Sequence, residues 1–240
     1  MIKFCVLGSG SKGNSVYFNV DGKHLLVDAG FSKKEINRRL ATIGKSMDDI
    51  EFIFITHAHK DHYAAWLQKD TTRKVYTKIR PQEFSFIKSF PLSHDSEHGS
   101  IGYVVKDEAG NKIEPGNKIA VILDTGCIPE EILPNLFDCA AVLIETNYDI
   151  DMLIDSPYPT DLQLRISSDV GHLRAECAAE AVGMVAWPGL QYVCALHLSS
   201  NCINPVLARF ELDKELRDVV PGCEIVISDQ KIPTKLFVVM

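Results

Sequence analysis

Short apolar runs separated by turn residues dominate the chain, and most are too short for anything but strands. Residues 2–7 (IKFCVL) read as a strand that ends at Gly8-Ser9-Gly10. Residues 15–20 and 23–28 read as two strands joined by Asp21-Gly22, a strong hairpin signal. Residues 32–41 carry a helical pattern, with Ser32 as cap, Glu35 three positions on, and Ile36 and Leu40 on one face. Residues 51–55 (EFIFI) read as a buried strand. Further strands are expected at 74–77, 84–90, 101–106, 118–123, 140–145, 191–196, 223–228 and 235–239. Helices are expected at about 128–136, at the Ala-rich stretch 172–186, and at 204–217. No linker, low-complexity stretch or repeat divides the chain, so residues 1–240 are expected to form a single domain. Strands interrupted by helices in both halves predict an α/β fold: a central β-sandwich with helices outside.

Composition changes this picture little. Hydrophobic residues make up 46% and charged residues 24% of the chain, as in an ordinary globular protein. The net charge of −7 speaks against a general electrostatic grip on nucleic acid. It leaves a nuclease open, because bound divalent cations place positive charge where a phosphate sits. Cys5, Cys127, Cys139, Cys177, Cys194, Cys202 and Cys223 are odd in number and include no close CxxC pair, which speaks against a disulfide framework or zinc knuckle. The N-terminus lacks the apolar core of a signal peptide, and no run approaches the ~18 apolar residues that span a bilayer. A cytoplasmic protein with reduced cysteines and no membrane partner is expected.

The chemistry concentrates in Thr56-His57-Ala58-His59-Lys60-Asp61-His62, which follows directly on the buried strand 51–55. Imidazole and carboxylate together suit Zn²⁺, and also Mn²⁺ or Fe. His57 and His59 share a side only while the chain stays extended, and Asp61 and His62 need a turn to aim at a second position. Four ligands this dense suit two divalent metal ions. Asp28, Asp124 and His197 each end an apolar run in the same manner. Taken singly they also read as turn, cap or core residues. His94 competes with His98, and it is preferred because it directly follows an apolar strand. His24, inside a hairpin strand, reads as structural.

HAHKDH resembles the HxHxDH signature of the metallo-β-lactamase superfamily. Asp28 in LLVDAG, His94 in PLSHD, Asp124 in VILDTG and His197 in ALHLS resemble its later elements in order, so the resemblance runs from residue 1 to about 205. Three stretches are closer to the YycJ (WalJ) branch: GSGSKGNS at 8–15, ETNYDIDML at 145–153 followed by SPYP, and RISSDVGHLRAECAAE at 165–180. The chain is also similar to phosphodiesterases of the RNase Z and PhnP type. It departs from the branch in three places. Tyr148 stands where histidine is usual, Arg174 follows GHL in place of Ser-Asn, and the interval from His62 to His94 is short enough that a connecting helix is expected to be missing.

The resemblance implies an αββα sandwich of two mixed sheets with helices on the outer faces. It implies one metal on His57, His59 and His94, another on Asp61, His62 and His197, a bridging Asp124, and a hydroxide between the metals as nucleophile. Asp61 and His172 are the candidate catalytic residues. His172 is expected at a helix start, where it would protonate the leaving alkoxide or bind phosphate with the help of free N–H groups. Ser9, Ser11, Asn14, Asn147, Arg165 and Arg174 are the candidate substrate contacts. The expected activity is a dinuclear-metal phosphodiesterase of the DNA exonuclease type, as the branch's link to 5′–3′ exonuclease activity implies. The alternatives are a phosphodiesterase for cyclic nucleotides or other small diesters, lactam or thioester hydrolysis by the same metals, and an inactive metal-binding module. A homodimer stands among the expectations.

Overall fold

A computed structural model describes residues 1–78, 83–97, 99–107 and 115–239. The first half of the chain builds a sheet from β1 (Ile2–Gly8), β2 (Ser15–Val20), β3 (Lys23–Val27), β4 (Phe52–Phe54) and β5 (Lys74–Tyr76), and the last strand, β12 (Phe237–Val239), returns to its edge. Its order is β12-β1-β2-β3-β4-β5. The second sheet holds β6 (Ile87–Leu92), β7 (Ser100–Lys106), β8 (Lys118–Ile122), β9 (Ala141–Glu145), β10 (Tyr192–Leu196) and β11 (Glu224–Ile227), in the order β11-β10-β9-β8-β7-β6. Both sheets are mixed: β1, β2 and β3 pair antiparallel, while β3, β4 and β5 pair parallel. Likewise β6, β7 and β8 pair antiparallel, and β8 to β11 pair parallel.

The two-residue period of a strand decides the layering. In β1, Phe4 and Val6 face the second sheet, whereas Cys5 and Leu7 face the other way. In β9, Leu143 faces the first sheet and Val142 and Ile144 face outward. Outside the first sheet, α1 (Lys33–Ala41) lays Ile36 and Leu40 over Cys5, Leu7 and Leu26. Outside the second, α4 (Ala175–Val185) and α5 (Pro205–Leu216) cover Val142, Ile144 and Val193 with Ala178, Val182 and Leu212. Strands covered on both faces need apolar residues at every position, which is why these runs read as continuous. The result is the expected αββα sandwich.

Some expectations shift. The helix expected at 128–136 is a 3₁₀ segment at Glu130–Asn135, because Pro134 lies inside it and lacks the N–H that an α-helix would use. The strand expected at 84–90 runs over Ile87–Leu92. Two short helices, α2 (Ile150–Ile154) and α3 (Thr160–Ile166), were not foreseen; Pro157 and Pro159 break the pattern around them. The helix expected from 172 begins at Ala175. Between His62 and β6, the described residues hold a 3₁₀ turn at Leu67–Lys69 and β5 but no α-helix. Among the described residues no helix is long and apolar enough to cross a membrane.

Candidate metal centre

Pairing directions make β6, β8, β9 and β10 run the same way, so their carboxyl ends share one edge of the second sheet. His94, Asp124, Glu145 and His197 stand at those ends. Asp28 and the 56–62 loop stand at the corresponding ends of β3 and β4. The sheets are tied at this edge by Tyr103, whose buried hydroxyl donates to the Ile55 carbonyl at 2.7 Å, and by Ile101 N–H donating to the Thr56 carbonyl at 3.1 Å. Asp28, Asp124 and His197 all have left-handed backbone, with φ of 61°, 50° and 52°. For a non-glycine residue this conformation is costly, and it turns each side chain off the end of its strand toward the centre.

After His57 the chain bends at Ala58 and His59 and then turns, as the N–H groups of His62 and Tyr63 both donate to the His59 carbonyl. The turn is pinned from below. Gly30 lies so close to it that a Cβ there would fall 1.6 Å from the Asp61 carbonyl oxygen, and Asn14 N–H donates to that same oxygen at 2.7 Å. Only glycine permits this approach.

These elements bring together the full set of expected ligands. His57, His59, His94 and Asp124 offer donor atoms within 4.8 Å of one another, and so do Asp61, His62, Asp124 and His197. The Oδ2 atom of Asp124 lies 3.5 Å from His57 Nε2, 3.8 Å from His94 Nε2 and 3.2 Å from His62 Nε2, so one carboxylate faces both groups. Asp61 Oδ2 lies 3.5 Å from His62 Nε2 and 3.6 Å from His197 Nε2. The buried Nε2 atoms of His57 and His197 and Oδ1 of Asp124 have no hydrogen-bond partner. Burying such atoms unpaired is costly, and divalent cations among them would satisfy all three, so the residues fit a pair of metals. His98 lies outside the described residues; His94 occupies the third histidine position.

The back of each imidazole is held. His62 Nδ1 lies 2.7 Å from Asp28 Oδ2, a carboxylate that also accepts from Thr56 N–H at 2.8 Å. His94 Nδ1 donates to the Gly171 carbonyl at 2.8 Å. His197 Nδ1 lies 3.0 Å from Glu145 Oε1, and Asn147 Nδ2 donates to the His197 carbonyl at 2.8 Å. Such partners fix which ring nitrogen carries the proton and leave the other free for a metal. Burial, reinforced by the neighbouring His62, pushes the His57 imidazole down to about 2, the neutral form that a metal requires. Burial opposes charge on Asp124, yet His197 and His62 outweigh it and hold the carboxyl well below its ordinary range.

His172 stands beside this set but not where the sequence placed it. Arg174 caps α4, so His172 precedes the helix, and its own N–H is spent on the Ile166 carbonyl at 2.9 Å. Free helix N–H groups therefore lend it nothing. Its ring is set instead by Glu145, whose Oε1 lies 2.7 Å from Nδ1. Burial favours the neutral ring, but Glu145 overcomes it and raises the pKa of His172. Glu145 is a residue the sequence reading missed. It ends an apolar strand as Asp124 and His197 do, and that repeated signal marks it.

The expected substrate contacts divide. Ser11, Asn147 and Arg165 line a cleft of about 180 Å³ that also includes His94 and His172. Ser9 and Asn14 are buried and serve as a bracket: Ser9 Oγ donates to Asn14 Oδ1 and accepts from His197 N–H, both at 2.8 Å, while Asn14 Nδ2 lies 2.9 Å from His62 Nε2. Arg174 faces a different cavity, between α4 and the 126–133 segment, and pairs with Glu176, because it points away from the edge that His172 faces. His24 is structural, with Tyr17 Oη 2.7 Å from its Nδ1.

Comparison with known proteins agrees with this geometry. Over 97% of this chain and 98% of the other, the structure superposes on the metallo-β-lactamase fold protein YhfI from Bacillus subtilis, with a TM-score of 0.65 at 15% identity. It superposes on the short form of human tRNase Z with a TM-score of 0.63 at 14% identity, covering 98% and 100% of the two chains. At such identities the likeness is one of fold, and the fold and the His/Asp edge together define a metal-dependent hydrolase of the metallo-β-lactamase superfamily. Within that class the chain belongs to the YycJ/WalJ family: it is 30% identical to exodeoxyribonuclease YycJ of Bacillus anthracis over 267 aligned residues, covering 98% of each protein. It is 31% identical to exodeoxyribonuclease WalJ of Streptococcus pneumoniae serotype 2 over 210 residues, covering 75% of each. A family model described as Anti-Pycsar protein Apyc1 matches residues 2–84.

Proposed function

We propose that this chain is a dinuclear-metal phosphodiesterase that removes nucleotides from DNA ends. The observation that carries this reading is the position of Asp124, a single carboxylate facing two groups of histidines, 3.5 Å from His57 and 3.2 Å from His62. His57, His59 and His94 would hold one ion, Asp61, His62 and His197 the other, and Asp124 both; Zn²⁺, Mn²⁺ or Fe suits the donor set. Ions bound there would lower the pKa of water to about 7, making hydroxide available at neutral pH, and would neutralise charge on the phosphoryl oxygens.

The chain's own residues do the rest. Asp28, Gly171 and Glu145 hold the imidazoles in the tautomers that ligation requires. His172, whose pKa Glu145 raises against the effect of burial, stands at the cleft wall within reach of a departing alkoxide that needs a proton. Ser11, Asn147 and Arg165 face the cleft where the phosphodiester lies. The exodeoxyribonuclease names of the relatives support DNA as substrate. Seven free cysteines suit a reducing, cytoplasmic setting.

His59→Ala and Asp124→Ala test the assignment. Each abolishes hydrolysis of bis-p-nitrophenyl phosphate with Mn²⁺ while circular dichroism shows a folded protein. Wild-type rates in either variant would refute it. The small size of the cleft favours a second reading, hydrolysis of cyclic nucleotides or other small diesters. Digestion of end-labelled DNA beside a panel of cyclic nucleotides separates the two.

A further inference from the structure

The segment between β9 and α4 carries a short helix, α3, whose apolar anchors are Tyr158 before it and Ile166 at its end, which pack against Tyr148, Leu153 and Cys202. None of the residues of α3 is buried, and Leu164 is 67% exposed. The segment is nonetheless fixed across the cleft. Tyr158, just before α3, accepts a hydrogen bond from Asn201 Nδ2 at 3.0 Å on one rim. Arg165, at the end of α3, donates through Nε to Asp95 Oδ2 at 3.1 Å beside His94 on the other. Gln163 stiffens the span, as its amide donates to the Tyr158 carbonyl at 3.1 Å. Toward the cleft the segment presents Tyr158, Leu162 and Ile166, four residues apart on one side. The rest of the lining is largely polar and includes Ser11, Asn147 and His172.

A cleft lined by aromatic and aliphatic side chains together with polar ones, next to the candidate metal edge, suits a group with an apolar flat face and a polar rim. A nucleobase with its sugar has that form, and stacking on an aromatic ring binds any base without reading sequence. The cleft, at about 180 Å³, is well below the roughly 300–1,000 Å³ of sites for drug-sized ligands. It has room for one such unit and none for a duplex.

We infer that the α3 segment forms a pocket for the terminal nucleotide of a single DNA strand, with Tyr158 stacking on its base, so that the diester presented to the metal edge is the one at the chain end. This deepens the proposed function and rests on it. Specificity for ends then comes from a wall that halts the strand after one nucleotide.

The test compares kcat/KM for thymidine 3′-p-nitrophenyl phosphate, joined to its phosphate as a 5′-terminal nucleotide is, and methyl p-nitrophenyl phosphate in the Mn²⁺-loaded protein. Wild type prefers the thymidine ester. Tyr158→Ala lowers that preference about ten-fold or more, through KM, and Leu162→Ala lowers it less. Tyr158→Phe, which keeps the ring and loses the Asn201 bond, retains the preference. Calorimetric binding of thymidine 5′-monophosphate weakens in parallel with the alanine variants. An unchanged preference in Tyr158→Ala, or a loss in Tyr158→Phe as large as in Tyr158→Ala, would overturn the inference. A wild type that hydrolyses both esters equally also overturns it and leaves the phosphodiesterase reading standing. Hydrolysis of neither ester overturns both.

Discussion

His172 and Asp28 show how much depends on a single carboxylate behind an imidazole. In the proposed function His172 serves the leaving group, so its importance would depend on which group leaves. A DNA alkoxide needs a proton to depart, whereas p-nitrophenolate does not. His172→Ala is therefore expected to lower kcat on DNA by about 10²–10⁴-fold, the range of general acid catalysis, with a much smaller loss on bis-p-nitrophenyl phosphate. Equal losses on both, measured side by side, would make His172 a binding residue only. Asp28 acts at one remove from the centre, through the 2.7 Å contact with His62. Asp28→Asn is expected to weaken Mn²⁺ binding about 10–100-fold, which titration calorimetry measures directly. Glu145, which reaches both His172 and His197, was legible only as the end of an apolar run. A single sequence does not show that two imidazoles from distant segments converge on it.

At the scale of elements, α1 is more than a cover for the first sheet. Arg39 is buried and donates to the Leu7 carbonyl at 2.7 Å and the Gln230 carbonyl at 3.0 Å, with Phe31 stacked 4.0 Å from its guanidinium. It props the 8–15 loop whose Ser9 and Asn14 bracket the metal edge. Arg39→Ala strands two carbonyls and is expected to cost about 2–4 kcal/mol in urea unfolding. Glu35, hydrogen-bonded first by Arg38 and then by Arg39, has its pKa lowered from an ordinary 4.5 to about 2. A depressed carboxyl stabilises above its unfolded pKa and loses that contribution as pH falls through the folded one. Glu35→Gln should therefore flatten the acid limb of stability between about pH 4.5 and 2 and leave its shape at neutral pH unaltered. Strands and the long helices were legible because their apolar periodicity is strong. The short helices α2 and α3 were not, since they bury little and periodicity reports burial. His172 was misplaced for a related reason: the extended Gly171–Leu173 stretch, held by Asn147 N–H on the Leu173 carbonyl, carries no pattern that separates it from the helix after it.

For the whole molecule, the metal edge joins both sheets, so ion binding is expected to stabilise the global fold and not one loop. At a hundred times Kd, a ligand bound only by the native state adds about 2.7 kcal/mol. Melting followed by differential scanning calorimetry should rise on adding Mn²⁺ and fall with EDTA, as one cooperative transition. Two separate transitions would show that the sheets do not share one stability. The sandwich and the ordered His/Asp set were both readable from the chain, because the dense 57–62 cluster follows one apolar strand and His94, Asp124 and His197 each follow another. What the sequence did not reveal was the division between Arg165, at the cleft, and Arg174, in another cavity.

The strained backbone at Asp28, Asp124 and His197 has an evolutionary corollary. Positions with φ near 50–60° tolerate glycine or asparagine better than aspartate or histidine. Backbone ease alone would thus favour replacing the candidate ligands Asp124 and His197 and the supporting Asp28. At Asp124 the pull of His197 and His62 on the carboxylate offsets part of that backbone cost, so uncomfortable backbone is held where its charges meet.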